Sequence, residues 1–130
     1  MLRKTLLKIL VLASAAVLPV AAFAQEGYPL DGTWRGEWGQ AGGEQTLAVV
    51  VMSWDGTMIN GRINPGRNTI NFTSAALNPL EWTVHIEAQT RDGAEIIIDG
   101  VLSELGSYHR KLTGTWTSGG VENQLVLTRE

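Results

Sequence analysis

The chain of 130 residues has no cysteine. Disulfides, thiolate metal sites and thiol nucleophiles are therefore excluded, and the fold must be held by its apolar core. Histidine is nearly as scarce. His85 and His109 lie 24 residues apart, a spacing that matches no known zinc or copper ligand pattern, so no metal or other cofactor is expected. Ser53, Ser74 and Ser103 sit in no Gly-x-Ser-x-Gly frame, and with no nucleophile placed the chain is not expected to be an enzyme. Sustained helical periodicity is also missing beyond residue 24.

The first 24 residues stand apart from the rest. Arg3, Lys4 and Lys8 precede an apolar stretch from Ile9 to Leu18, Pro19 ends it, and Ala22-Phe23-Ala24 supplies the small residues of a cleavage site. The apolar run is too short for a comfortable membrane span. We therefore expect a cleaved export signal over 1–24, Gln25 as the mature N-terminus and a periplasmic or secreted bacterial product. Three of the ten Lys and Arg leave with the signal while all thirteen Asp and Glu remain, so the mature chain carries a formal charge of −6. Lys111 is its one lysine. A surface of that sign repels phosphate backbones and anionic headgroups, so neither nucleic acid nor a membrane is an expected partner.

What remains is a single domain over 25–130 made of short strand-like segments broken by turns. Gly, Pro, Asn and Asp punctuate it at intervals that predict eight strands, at 32–38, 45–53, 58–64, 69–75, 81–90, 95–103, 107–116 and 121–129. A five-residue frame opens this body and returns near its end: Leu30-Asp31-Gly32-Thr33-Trp34 and Leu112-Thr113-Gly114-Thr115-Trp116. Similar ends suit first and last strands that meet. The expected fold is all-β, an eight-stranded antiparallel up-and-down barrel.

Turn chemistry then sets the register. Trp54-Asp55-Gly56 and Arg91-Asp92-Gly93 are read as three-residue hairpin loops with glycine in the left-handed position. The first places Leu47, Val49 and Val51 inward, opposite Ile63, Gly61 and Ile59. The second sets Val84, Ile86 and Ala88 opposite Gly100, Ile98 and Ile96. A two-residue turn at Ser118-Gly119 would put Leu112 against Leu125 and Trp116 against Val121. Trp34, Trp38 and Trp82 join Trp116 on the inner face, with Gly36, Gly61, Gly100 and Gly114 among them. Four inward tryptophans favour an interior filled by side chains.

Candidate sites follow from this register. Tyr108, Arg110 and Asn123 lie toward the inner side near the last hairpin, where they would ring a polar ligand at one mouth or close that end by hydrogen bonding. His85 faces Asp99 on the outer surface as a cross-strand pair. Val50 and Met52 fall outward with Met58 across from them, as do Ile97 and Val101, and such a patch suits a partner surface. The expected function is a non-catalytic binding module for a small apolar ligand in or at the mouth of the barrel. The alternative is an accessory domain that docks an exported protein, or a second copy, through the outer face of strands two and three.

Gly32-x-Trp34 on the first strand, with Arg129 closing the last, resembles the calycin signature of lipocalins, fatty-acid-binding proteins and avidins. The resemblance implies that the arginine caps the tryptophan at the closed end of a barrel. The Leu112-x-Gly114-Thr115-Trp116 frame, with Gly119-Gly120 and Leu127-Thr128-Arg129, is similar to small exported bacterial β-domains of unknown function. Similar domains occur beside secreted serine hydrolases. Gly32, Trp34, Gly114, Trp116 and Arg129 would then be structural signature residues.

Overall fold

The computed structural model describes residues 28–130, so the expected export signal over 1–24 and the expected N-terminus at Gln25 lie outside the described residues. Eight antiparallel strands follow one another around a closed barrel: β1 (Gly32–Gly39), β2 (Gln45–Trp54), β3 (Ile59–Ile63), β4 (Ile70–Asn78), β5 (Thr83–Gln89), β6 (Glu95–Ser103), β7 (Lys111–Ser118) and β8 (Val121–Arg129). β1 closes on β8, with Trp34 opposite Arg129 and Trp38 opposite Leu125. This is the expected architecture. Among the described residues there is no helix long and apolar enough to cross a membrane.

Alternation along the strands divides inside from outside. On β5 and β6, Val84, Ile86, Ala88, Ile96, Ile98 and Leu102 are buried, while His85, Asp99 and Val101 are exposed. Their register is the one expected, through a three-residue loop in which Gly93 has φ +91°. Trp34 and Trp116 are both core residues, and Leu30, which precedes β1, is fully buried beside them.

The β2–β3 hairpin departs from expectation. The carboxylate of Asp55 accepts hydrogen bonds from the amides of Thr57 (2.9 Å) and Met58 (2.8 Å) and from the Asn60 side chain (3.1 Å). These bonds draw Thr57 and Met58 into the turn, and the Asp55 amide donates to the Met58 carbonyl. The loop tip is thus Gly56-Thr57, and Val50, not Leu47, stands opposite Ile63. The pairing shifts by three residues, and an odd shift reverses the faces of one strand. Ala48, Val50 and Met52 point to the core, with Val50 and Met52 0% and 1% exposed. Leu47 is 75% exposed, and Val49 and Val51 lie partly exposed on the outside.

The last hairpin differs more mildly. Gly119 and Gly120 both have positive φ (59° and 78°), the conformation that a two-residue turn between twisted strands demands. The turn therefore sits one residue later than Ser118-Gly119 and the pairs shift by two. Leu112 meets Leu127, Trp116 meets Asn123, and the faces are preserved. Val121, expected inward, lies at the strand's start and is exposed. β7 begins only at Lys111, because residues 104–110 form a loop rather than the start of a strand.

One junction in the wall is short. β3 and β4 share only the pairs Arg62–Asn71 and Ile63–Ile70. The Phe72 ring then lies where a Cβ on Gly61 would be, at 2.5 Å, and β4 bulges between Phe72 and Ser74. Beyond that point β4 continues to Asn78 paired with β5 alone.

Candidate functional site

The two ends of the barrel hold different parts of the expected mouth. Strand direction puts the loop at 104–110, the β2–β3 turn and the segment before β1 at one end, and the Gly119-Gly120 turn at the other. Tyr108 and Arg110 are at the first end. Asn123, three residues past Gly120 and the ladder partner of Trp116, points inward near the second and is buried. The three residues are not brought together, because most of the length of β7, from Lys111 to Trp116, separates them.

What gathers around Tyr108 and Arg110 is Arg129. Its Nε donates to the Tyr108 carbonyl (2.9 Å), and one terminal nitrogen donates to the carbonyls of Pro29 (3.2 Å) and Asp31 (3.3 Å). Arg110 donates to the same Pro29 carbonyl, and the Tyr108 ring lies over the Arg129 guanidinium at 4.7 Å. The Trp34 indole N–H donates to the Leu30 carbonyl (2.9 Å), and His109 Nδ1 bonds the Arg129 carbonyl. Burial, followed by the neighbouring Arg110 charge, pulls the Arg129 pKa below its usual value. These bonds tie the leading segment and the 104–110 loop across the barrel end. Arg110 Nε is buried and has no hydrogen-bond partner among the described residues. Toward the other end, Trp38 and Trp116 stack in parallel at 4.8 Å.

His85 meets Asp99 as expected, Nδ1 to Oδ1 at 2.5 Å. Its other nitrogen lies 3.6 Å from Glu87, whose second oxygen accepts from the Ser74 hydroxyl at 2.9 Å. The bond to Asp99 is the main cause of a raised His85 pKa; burial opposes it, and Glu87 adds to the rise. Ser74 therefore addresses a carboxylate, and His85 has no hydroxyl to activate in this network. The pair borders an outer groove of about 540 Å³ that runs over Gly100 and Gly114. A second groove, about 450 Å³, crosses Gly36 between Leu47 and Val126.

Of Val50, Met52 and Met58, only Met58 is outside; Val101, on β6, is exposed as expected. Met58 is 59% exposed at the β2–β3 turn, beside Trp54, which is 42% exposed and stacks on Tyr28 at 4.7 Å. Together with Ile59, Ala75 and Leu77 they line a groove of about 300 Å³ over the short β3–β4 junction. Sequence reasoning missed Tyr28 and Trp54 because Tyr28 precedes β1 and Trp54, the last residue of β2, was assigned to the hairpin loop. No family model, curated protein or solved structure matches this chain.

Proposed function

We propose that this chain is an exported, non-catalytic binding module that docks a protein partner on the outside of its wall, around the β2–β3 turn. The observation that carries this reading is the Tyr28–Trp54 stack with Met58 beside it. It sets large apolar groups over a groove at the surface, where exposure forgoes the favourable burial a partner would provide. The interior offers less. The axis is occupied by Trp34, Ile86, Ile98, Leu112 and Leu125, Arg129 ties off one end, and the tryptophan stack fills toward the other. A module that held a small apolar ligand inside would need room of several hundred Å³ there. Export is supported by the order of charged, apolar and small residues over 1–24.

Native mass spectrometry of the mature protein, released gently from its own compartment, tests the reading. We expect a protein partner to remain bound, to be lost from Met58→Lys and to be kept by Leu47→Lys. A stoichiometric small molecule retained by the wild type, with no protein partner, would overturn it.

A further inference from the structure

We infer that the β3–β4 junction is a strand-addition site that takes an extended peptide segment with an apolar side chain flanked by lysine or arginine. The inference rests on the outer-wall docking reading and names its occupant. A strand with no neighbour on one side presents a row of backbone donors and acceptors, and an extended main chain is the ligand that satisfies such a row. β4 has that property between Ser74 and Leu77, since its ladder with β3 ends at Asn71 and no other backbone partner on that side is found among the described residues. The groove lies along this same stretch, with Ala75 and Leu77 on one bank and Trp54, Met58 and Ile59 on the other. Small residues at Ala75 and Ala76 leave the edge approachable.

Charge selects among extended segments. Three carboxylates bond directly to residues of the groove: Asp31 accepts from the Trp54 amide (2.7 Å), Asp55 from those of Thr57 and Met58, and Glu87 from the Ser74 hydroxyl. No Lys or Arg is among the groove's lining residues. An occupant that places a cation at either end of its apolar side chain complements this ring, whereas an acidic one is repelled.

The test uses the full mature chain and a synthetic peptide, N-acetyl-Lys-Val-Thr-Val-Lys-amide, read by residue-resolved amide hydrogen exchange. Saturating peptide is expected to slow exchange at least tenfold at those amides of Ser74–Leu77 that point away from β5. N-methylation of alternate peptide amides, which removes donors while keeping the side chains, should weaken binding at least tenfold. Met58→Lys should do the same, and Met58→Glu should not. Met58 is exposed, so both variants are expected to fold. Full protection, before peptide is added, of the amides in 74–77 that point away from β5, or equal binding of the N-methylated peptide, would overturn strand addition. Equal binding of a glutamate-flanked peptide would overturn the cationic requirement. If a protein partner depends on Trp54 and Met58 while exchange at 74–77 never changes, the docking reading stands and strand addition fails.

Discussion

Gly100 stands directly opposite Gly114 in the β6–β7 ladder, and a Cβ on Gly114 would fall 1.9 Å from the Asp99 carbonyl oxygen. Gly36 is in the same position against β8, where a Cβ would meet the Val126 carbonyl oxygen at 1.8 Å. In both cases the obstacle is backbone, which cannot turn aside as a side chain can. Gly114→Ala and Gly36→Ala should each destabilise by about 3 kcal/mol or more, at or beyond the upper end for overpacked sites. Gly106, where a Cβ meets nothing within 4 Å, is the control and should change by less than about 0.5 kcal/mol. Urea melts of the three variants decide it.

Trp34→Ala and Trp116→Ala should cost about 3–5 kcal/mol each, the range for large aromatic truncations in a core. The two side chains are 0% and 3% exposed. Shifts of only a degree or two in Tm for both would show that neither indole fills the barrel.

Replacing Val50 and Met52 with lysine should unfold the protein. Each substitution buries an unpaired cation, a change worth more than about 4 kcal/mol and comparable with the whole stability of a small domain. Leu47→Lys should be tolerated. Circular dichroism of the double and single variants distinguishes this register from its reverse, because in the reversed one Leu47 would be the intolerant position.

His85 should titrate above the usual imidazole range, since Asp99 and then Glu87 favour its charged form. A pKa raised by folding contributes stability that is complete below the unfolded value of about 6.5 and is lost as pH rises through the folded one. The stability gap between wild type and His85→Ala should therefore be largest in mild acid and shrink as pH rises past neutrality. It should stay below about 1 kcal/mol for so exposed a pair. Proton NMR of the imidazole and melts at several pH values measure both.

Arg129→Met should leave the carbonyls of Asp31 and Tyr108 without this donor, while Pro29 keeps Arg110, at about 1–3 kcal/mol for each acceptor that stays dry. Arg129→Lys should rescue this only in part, because an ammonium lacks the planar fork that reaches three oxygens. Thermal melts of the pair provide the comparison.

Strand number and closure were legible because turn residues and the repeated Gly-Thr-Trp frame are local signals. The two copies nevertheless do different work. Gly32 has φ +130°, a conformation glycine adopts without strain, whereas Gly114 is required by close approach of β6. The β5–β6 register was legible because both strands alternate and the turn agrees. β2 offered no such check. Leu47 to Met52 is apolar on both faces, so only the turn could orient it, and there the Asp55 carboxylate binds amides two and three residues on. The site was less legible still. The open stretch of β4 depends on how strands joined by the 64–69 loop diverge, which no local pattern encodes. Tyr108 and Arg110 were assigned to a strand that starts only at Lys111, so Asn123 was drawn to them across the length of the barrel.

The β1–β8 junction also governs how the molecule assembles. Trp34 finds its ladder partner in Arg129, and the Glu130 amide reaches back to the Thr33 carbonyl, so the barrel is sealed by residues from opposite ends of the described chain. Every other neighbour pair is a hairpin that forms locally. The β1–β8 ladder is the one strand pairing of large sequence separation, so its loop-closure cost is the greatest and sealing is expected to come late. Until then β1 has one unsatisfied edge. A second molecule that is equally incomplete presents a matching β8, so domain exchange at this seam is the assembly error to which the fold is most open.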